Sequence, residues 1–109
     1  MRHVPKSFRP LILSEPQTVR CGKAIATLTR LQFTLLAYLL KHGKATYNQL
    51  RKRVWGKPVS DHAIGYAAIG LCDALIGSGI MRETHKQVGV YPWVEPHYGH
   101  FDRVELQDW

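Results

Sequence analysis

The sequence predicts an α+β fold: three helices, a small antiparallel sheet ahead of them and a β-hairpin after them. Three observations carry this. Before residue 29, β-branched and apolar residues run in short stretches broken by Pro16 and Gly22. Between Thr29 and Gly79, apolar residues recur at three- and four-residue steps in three segments, each opened by a capping residue and followed by a glycine. Beyond Gly79, two strand-like runs flank the polar tip His85-Lys86-Gln87.

Residues 1–10 hold two prolines and three basic residues and read as a flexible basic arm. Leu11-Ile-Leu-Ser, Thr18-Val-Arg-Cys and Ala24-Ile-Ala-Thr-Leu then read as three strands. Gly22-Lys23 spaces Cys21 from Ala24 for a tight hairpin, because glycine tolerates the positive φ such turns demand.

Thr29 is placed to cap the first helix, with Gln32 three positions on completing a capping box. Leu31, Leu35, Tyr38 and Leu39, joined by Phe33, Leu36 and Leu40, make this helix apolar over much of its circumference, so it should be the central buried one. Gly43 ends it. Lys41, His42 and Lys44 lie where the helix dipole favours positive charge.

A second helix should start near Thr46, capped by Thr46 or Asn48, and run to Trp55 before Gly56 and Pro58. Tyr47, Leu50 and Val54, with Trp55 beside them, form its inner face, and Arg51, Lys52 and Arg53 face outward with Lys57 beyond. Ser60 or Asp61 caps a third helix that runs to about Ile76 and closes at Gly77-Ser-Gly79. Its inner stripe reads Ile64, Ala67, Ala68, Leu71 and Leu75. Gly65 and Gly70 each cost up to about 1 kcal/mol inside a helix, which points to close approach of a backbone, a ligand or the first helix. Ile80-Met-Arg-Glu-Thr and Val88-Gly-Val-Tyr complete the pattern as a terminal hairpin.

The chain has 109 residues, enough for one domain and one small core. Fifteen Lys and Arg against eight Asp and Glu give a formal charge of +7, so a polyanion is the first partner to consider. The charge is uneven: 14 basic and 4 acidic residues precede Glu95, whereas the final 15 residues hold 1 and 4. Cys21 and Cys72 stand 51 positions apart with no CxxC, so both are expected as reduced thiols. With no apolar run of membrane-spanning length and no secretion leader, a cytoplasmic protein is expected.

The order of these elements is that of a winged helix-turn-helix. Leu28-Thr-Arg-Leu-Gln-Phe-Thr-Leu-Leu-Ala-Tyr-Leu-Leu-Lys-His-Gly resembles the "LTxxEFxLLxxLxxxxG" segment of the OmpR/PhoB-type winged-helix effector domain of bacterial response regulators. Tyr47-Asn-Gln-Leu-Arg-Lys-Arg-Val-Trp-Gly resembles that family's "sREeLxxxVWG" second helix, and Arg82-Glu-Thr-His-Lys-Gln-Val-Gly-Val-Tyr partly echoes its "RTVRGVGYxL" wing. The resemblance covers about residues 11–91, so the winged-helix domain is assigned there.

What the resemblance implies is double-stranded DNA as partner and transcriptional regulation as role, with the third helix in the major groove and the wing on the neighbouring backbone. Arg51, Lys52, Arg53 and Lys57, with Arg82, His85 and Lys86 of the wing, would hold phosphates, while His62, Gly65, Tyr66 and Ile69 would face the bases. Aligned on the family's "VxVxIxxLxxxL" third helix, Ile64, Tyr66, Ala68, Leu71 and Leu75 fall on the framework, and the resemblance puts Gly65, Ile69, Gly70, Cys72 and Asp73 outward. No Lys or Arg occurs between Asp61 and Met81, so the third helix must read DNA through His62, Tyr66 and apolar contacts such as Ile69. The same neutral helix also suits a homodimer or protein partner, the alternative function.

Residues 92–109 lie outside the family pattern. Trp93, Tyr98, Phe101 and Trp109 make an aromatic, acidic tail, expected to pack on the domain or extend a sheet through Arg103-Val-Glu-Leu. His97, His100 and Asp102 have metal-ligand character but no accompanying Cys/His set, so ordinary surface histidines are the simpler reading. With no P-loop, GxSxG or HExxH pattern, no enzyme, cofactor, metal or small-molecule substrate is expected.

Overall fold

The computed structural model describes residues 6–81 and 103–106. A 3-10 turn over Lys6–Phe8 leads into strands β1 (Ile12–Ser14), β2 (Thr18–Cys21) and β3 (Ala24–Thr27), an antiparallel sheet in the order β1-β2-β3. Helix α1 (Arg30–His42), strand β4 (Lys44–Thr46), helix α2, helix α3 (Asp61–Gly77) and strand β5 (Arg103–Glu105) follow. Helix α2 is α-helical over Tyr47–Leu50 and continues as a π-helical turn over Arg51–Trp55. The fold is thus α+β, with three helices and a three-stranded antiparallel sheet.

The N-terminal sheet alternates as a one-faced sheet must. Leu13, Val19 and Ala26 lie in register across the three strands and turn toward the core, whereas Ile12, Arg20 and Ile25 form an exposed row on the opposite side. Cys21 pairs with Ala24, and Gly22 between them has φ +61°, the left-handed conformation expected of the hairpin turn.

Both capping boxes are closed. Thr29 Oγ1 accepts from the Gln32 N–H at 3.1 Å, and Gln32 Oε1 accepts from the Thr29 N–H at 3.0 Å. Thr46 and Gln49 repeat the arrangement at α2, so Thr46, not Asn48, is its cap. Replacing Thr29 by alanine leaves the Gln32 N–H without its side-chain acceptor and is expected to cost about 1 kcal/mol in a urea unfolding titration.

Phe33, Leu35, Leu36 and Leu39 of α1 are buried and meet Ile64, Ala68, Leu71, Cys72 and Leu75 of α3 and Leu50 of α2 in one core. Leu31, expected on the buried side of α1, is instead exposed at the edge of its first turn. Phe8 is 1% exposed, so the core reaches into the segment expected to be a flexible arm.

A second, two-stranded sheet joins β4 to β5. β4 and β5 pair antiparallel with Ala45 opposite Val104, and the Leu106 N–H donates to the Gly43 carbonyl at 2.9 Å. Val104 and Leu106 enter the core. The C-terminal segment therefore extends a sheet, but a second one built on β4 rather than the N-terminal sheet. The expected hairpin over residues 80–91 has only Ile80 and Met81 within the described residues. Both are buried, and both N–H groups donate to the Leu75 carbonyl.

Candidate nucleic-acid interface

Helix α2 and the turn after it carry the basic cluster. Gly56 closes the π-helical turn by donating its N–H to the Arg51 carbonyl at 2.8 Å, in a left-handed conformation with φ +69°. The chain then passes Lys57-Pro58-Val59 to Ser60, whose hydroxyl caps α3 by accepting from the Ala63 N–H at 3.1 Å. A shallow cleft opens along this path, lined by Asn48, Arg51, Lys52, Gly56, Lys57 and Pro58. Lys52, Arg53 and Lys57 are exposed, and none of the three is in an ion pair among the described residues.

Arg51 is different. Its Nε donates to the Val59 carbonyl at 2.8 Å, Nη1 donates to Asn48 Oδ1 at 2.6 Å, and Nη2 pairs with Asp61 Oδ1. With 24% of its side chain exposed, this guanidinium is committed to holding α2, the connecting turn and the first residue of α3 together. The expectation of Arg51 as a phosphate ligand equal to its neighbours is revised: it neutralises Asp61 and positions the cleft. A lysine cannot reproduce the planar fork that reaches three acceptors at once. Arg51→Lys is therefore expected to lower unfolding stability by about 1–2 kcal/mol, the ion-pair part being discounted for the exposure of Asp61. Equilibrium urea titration checks this.

The outward side of α3 follows from its 3.6-residue period. His62, Tyr66, Ile69 and Asp73 fall on one stripe at steps of four, three and four residues. Tyr66 is 72% exposed, and its ring centroid lies 6.2 Å from that of His62. Ile69 is half-buried against the core, so only part of the side chain expected to be exposed reaches solvent. Gly65 and Gly70 flank the stripe on its two sides. A Cβ at Gly65 would lie 3.6 Å from Tyr47 Oη and one at Gly70 would lie 3.5 Å from Gln32 Nε2. Both are ordinary contact distances to side chains, so what comes near these glycines is α2 and α1 side chains rather than a closely packed backbone.

Cys72 overturns one assignment outright. Expected on the outward side, it is 0% exposed and packs in the core between α3 and its neighbours. Burial first, and the adjacent Asp73 carboxylate second, push its thiol above the ordinary range, so it is an inert core residue. Cys21 is half-buried on β2, and both thiols are free.

No protein-family model matches this chain, and neither does a curated protein or a solved structure. The site therefore stands on its own geometry. It brings Arg51, Lys52 and Lys57 to one cleft beside the start of α3 and sets His62, Tyr66 and Ile69 along the adjoining helix face. Arg53 is exposed outside that cleft. Arg82, His85 and Lys86, as well as His97, His100 and Asp102, lie outside the described residues. Asn48 and Asp61 are the partners of Arg51 that sequence reasoning missed. Asp61 stands ten positions from Arg51 across a glycine and a proline, where no helical spacing links them.

No helix among the described residues is long and apolar enough to cross a membrane.

Proposed function

We propose that this chain is a winged-helix DNA-binding protein that regulates transcription in the cytoplasm, acting by binding rather than by catalysis. The observation that carries the reading is the placement of exposed, unpaired Lys52 and Lys57 around a cleft that Arg51 ties to Asp61 at the start of α3, with Arg53 exposed nearby and a helix face without Lys or Arg beginning at His62. Cations at the mouth of a groove-sized helix supply backbone affinity without sequence preference, and the helix face supplies whatever discrimination there is.

Electrostatics support a DNA partner over a second copy of the chain. Among the described residues the ion pairs are Arg30–Glu15 and Arg51–Asp61, which leaves Asp73 as the one unpaired carboxylate outside β5, against nine Lys and Arg side chains in no ion pair. Two such surfaces repel, whereas a polyanion is drawn to either. Arg82, His85 and Lys86 would add a second set of phosphate contacts where the resemblance puts the wing.

The test is a fluorescence-anisotropy titration of random-sequence duplex DNA over a range of salt concentrations. Log affinity that falls linearly with log salt, by about 0.9 per tenfold rise in salt for each phosphate contacted, is the expected result. No binding at low salt overturns the reading. A stable dimer that is broken by Tyr66→Glu and binds no duplex would replace it with the protein-association function.

A further inference from the structure

We infer that the outward face of α3 recognises the C5-methyl group that thymine carries on its major-groove edge, with Tyr66 and Ile69 as the contacting side chains. This rests on the DNA-binding reading and adds to it the feature of DNA that the helix distinguishes.

The argument is one of chemical inventory. Base pairs are told apart in the major groove by bidentate hydrogen bonds from Arg, Lys, Asn or Gln, by Ser or Thr hydroxyls, by acceptors directed at cytosine, or by apolar contact with the thymine methyl. From Asp61 to Gly77, α3 contains no Arg, Lys, Asn, Gln, Ser or Thr. Asp61 is held by Arg51 and is unavailable to a base. Asp73 lies at the far end of the stripe, about 10 Å along the axis from Tyr66, where its carboxylate keeps phosphates away. The part of the stripe that can approach DNA is thus His62, Tyr66 and Ile69. It spans about 10 Å, the rise of roughly three base pairs.

That span is shaped for an apolar contact. Tyr66 exposes most of its ring and Ile69 exposes part of its side chain one turn further on. Gly65 and Gly70 add no side chain of their own beside the stripe, and its shoulders are instead bordered by Tyr47 Oη and Gln32 Nε2. The cations that would hold the backbone lie at the same end of the helix, since the cleft with Lys52 and Lys57 is tied to Asp61 through Arg51. Among apolar occupants, duplex DNA is the one whose charge complements that rim.

The experiment compares four duplexes of about 20 base pairs with the wild-type chain at one salt concentration: an A·T-rich duplex, the same duplex with deoxyuridine for every thymidine, a G·C duplex, and that duplex with 5-methylcytosine for every cytosine. Losing a buried methyl corresponds to about fourfold in affinity. Deoxyuridine is therefore expected to weaken binding about fourfold for one contact and about tenfold or more for two, and 5-methylcytosine to strengthen it by a similar factor. The salt slope should be the same for all four.

Tyr66→Ala, at a largely exposed position, should keep the fold and the salt slope while bringing the thymine-to-uracil ratio toward one. Affinities within twofold across the four duplexes overturn the inference. So does a thymine-to-uracil difference with no effect of 5-methylcytosine, which is the signature of duplex shape rather than methyl contact. An unchanged ratio in Tyr66→Ala overturns the assignment of that residue. Absence of salt-dependent binding to all four overturns the DNA-binding reading itself.

Discussion

Replacing Lys52, Arg53 and Lys57 together by alanine is expected to weaken duplex binding at least about a hundredfold near 0.1 M salt and to flatten the dependence of log affinity on log salt by about 2.7. Each cation that neutralises a phosphate releases a condensed counterion, and three such contacts set both figures. All three side chains are exposed and in no ion pair among the described residues, so each substitution should change the stability of the fold by no more than about 0.5 kcal/mol. Anisotropy titrations at several salt concentrations, paired with a urea unfolding curve, separate the two effects. An unchanged slope would show that these side chains do not touch phosphate. Arg51 provides the contrast: its substitution should act on stability first, because its guanidinium is bound to Asn48, Val59 and Asp61.

Removing residues 103–109 is expected to lower unfolding stability by about 4–6 kcal/mol. Val104 and Leu106 are buried, and burying a side chain of this size contributes about 1.5–3 kcal/mol. The deletion also strips β4 of its partner strand and leaves the Gly43 carbonyl without the Leu106 N–H. Against a typical domain stability of about 5–15 kcal/mol, this is a large fraction of the whole. With a urea slope of about 1–3 kcal/mol per M, the midpoint should fall by about 1.3 M or more. A shift of under about 0.5 M would mean that β5 is not an integral strand. Leu106→Ala should reproduce about 2–3 kcal/mol of the loss through its cavity alone.

These two effects show how differently the segments could be read. Thr29 with Gln32, and Ser60 ahead of Ala63, are cap patterns whose partners lie three residues apart, so the starts of α1 and α3 follow from neighbours in the chain. The Gly22 turn and the alternation across Leu13, Val19 and Ala26 follow for the same reason. The basic cluster after Leu50 was visible as composition, but the division of labour within it was not. Arg51 looks like Lys52 in a string of letters. Only the approach of the α3 N-terminus, brought round by Gly56 and Pro58, gives Arg51 a carboxylate and a carbonyl to bind.

Cys72 and Ile69 make the same point on α3. The helix is apolar nearly all round, with Tyr66, His62 and its two aspartates as exceptions, so periodicity alone locates its polar residues but does not say how far around the core reaches. Packing against α1 and α2 turns Cys72 fully inward and Ile69 halfway. β4 was the least readable element, being three residues long and too short for a propensity signal. Arg103-Val-Glu-Leu reads as able to extend a sheet, but its partner does not, because β4 and β5 meet across more than fifty residues of chain.

Caps, turns and the starts of the helices were thus settled by interactions a few residues in reach, and the excess of positive charge by composition alone. Which cations stay free, which side of α3 meets solvent and where the C-terminal strand docks were settled in three dimensions. The reason is that burial and ion pairing are properties of neighbours in space, and for these residues the decisive neighbours are distant along the chain.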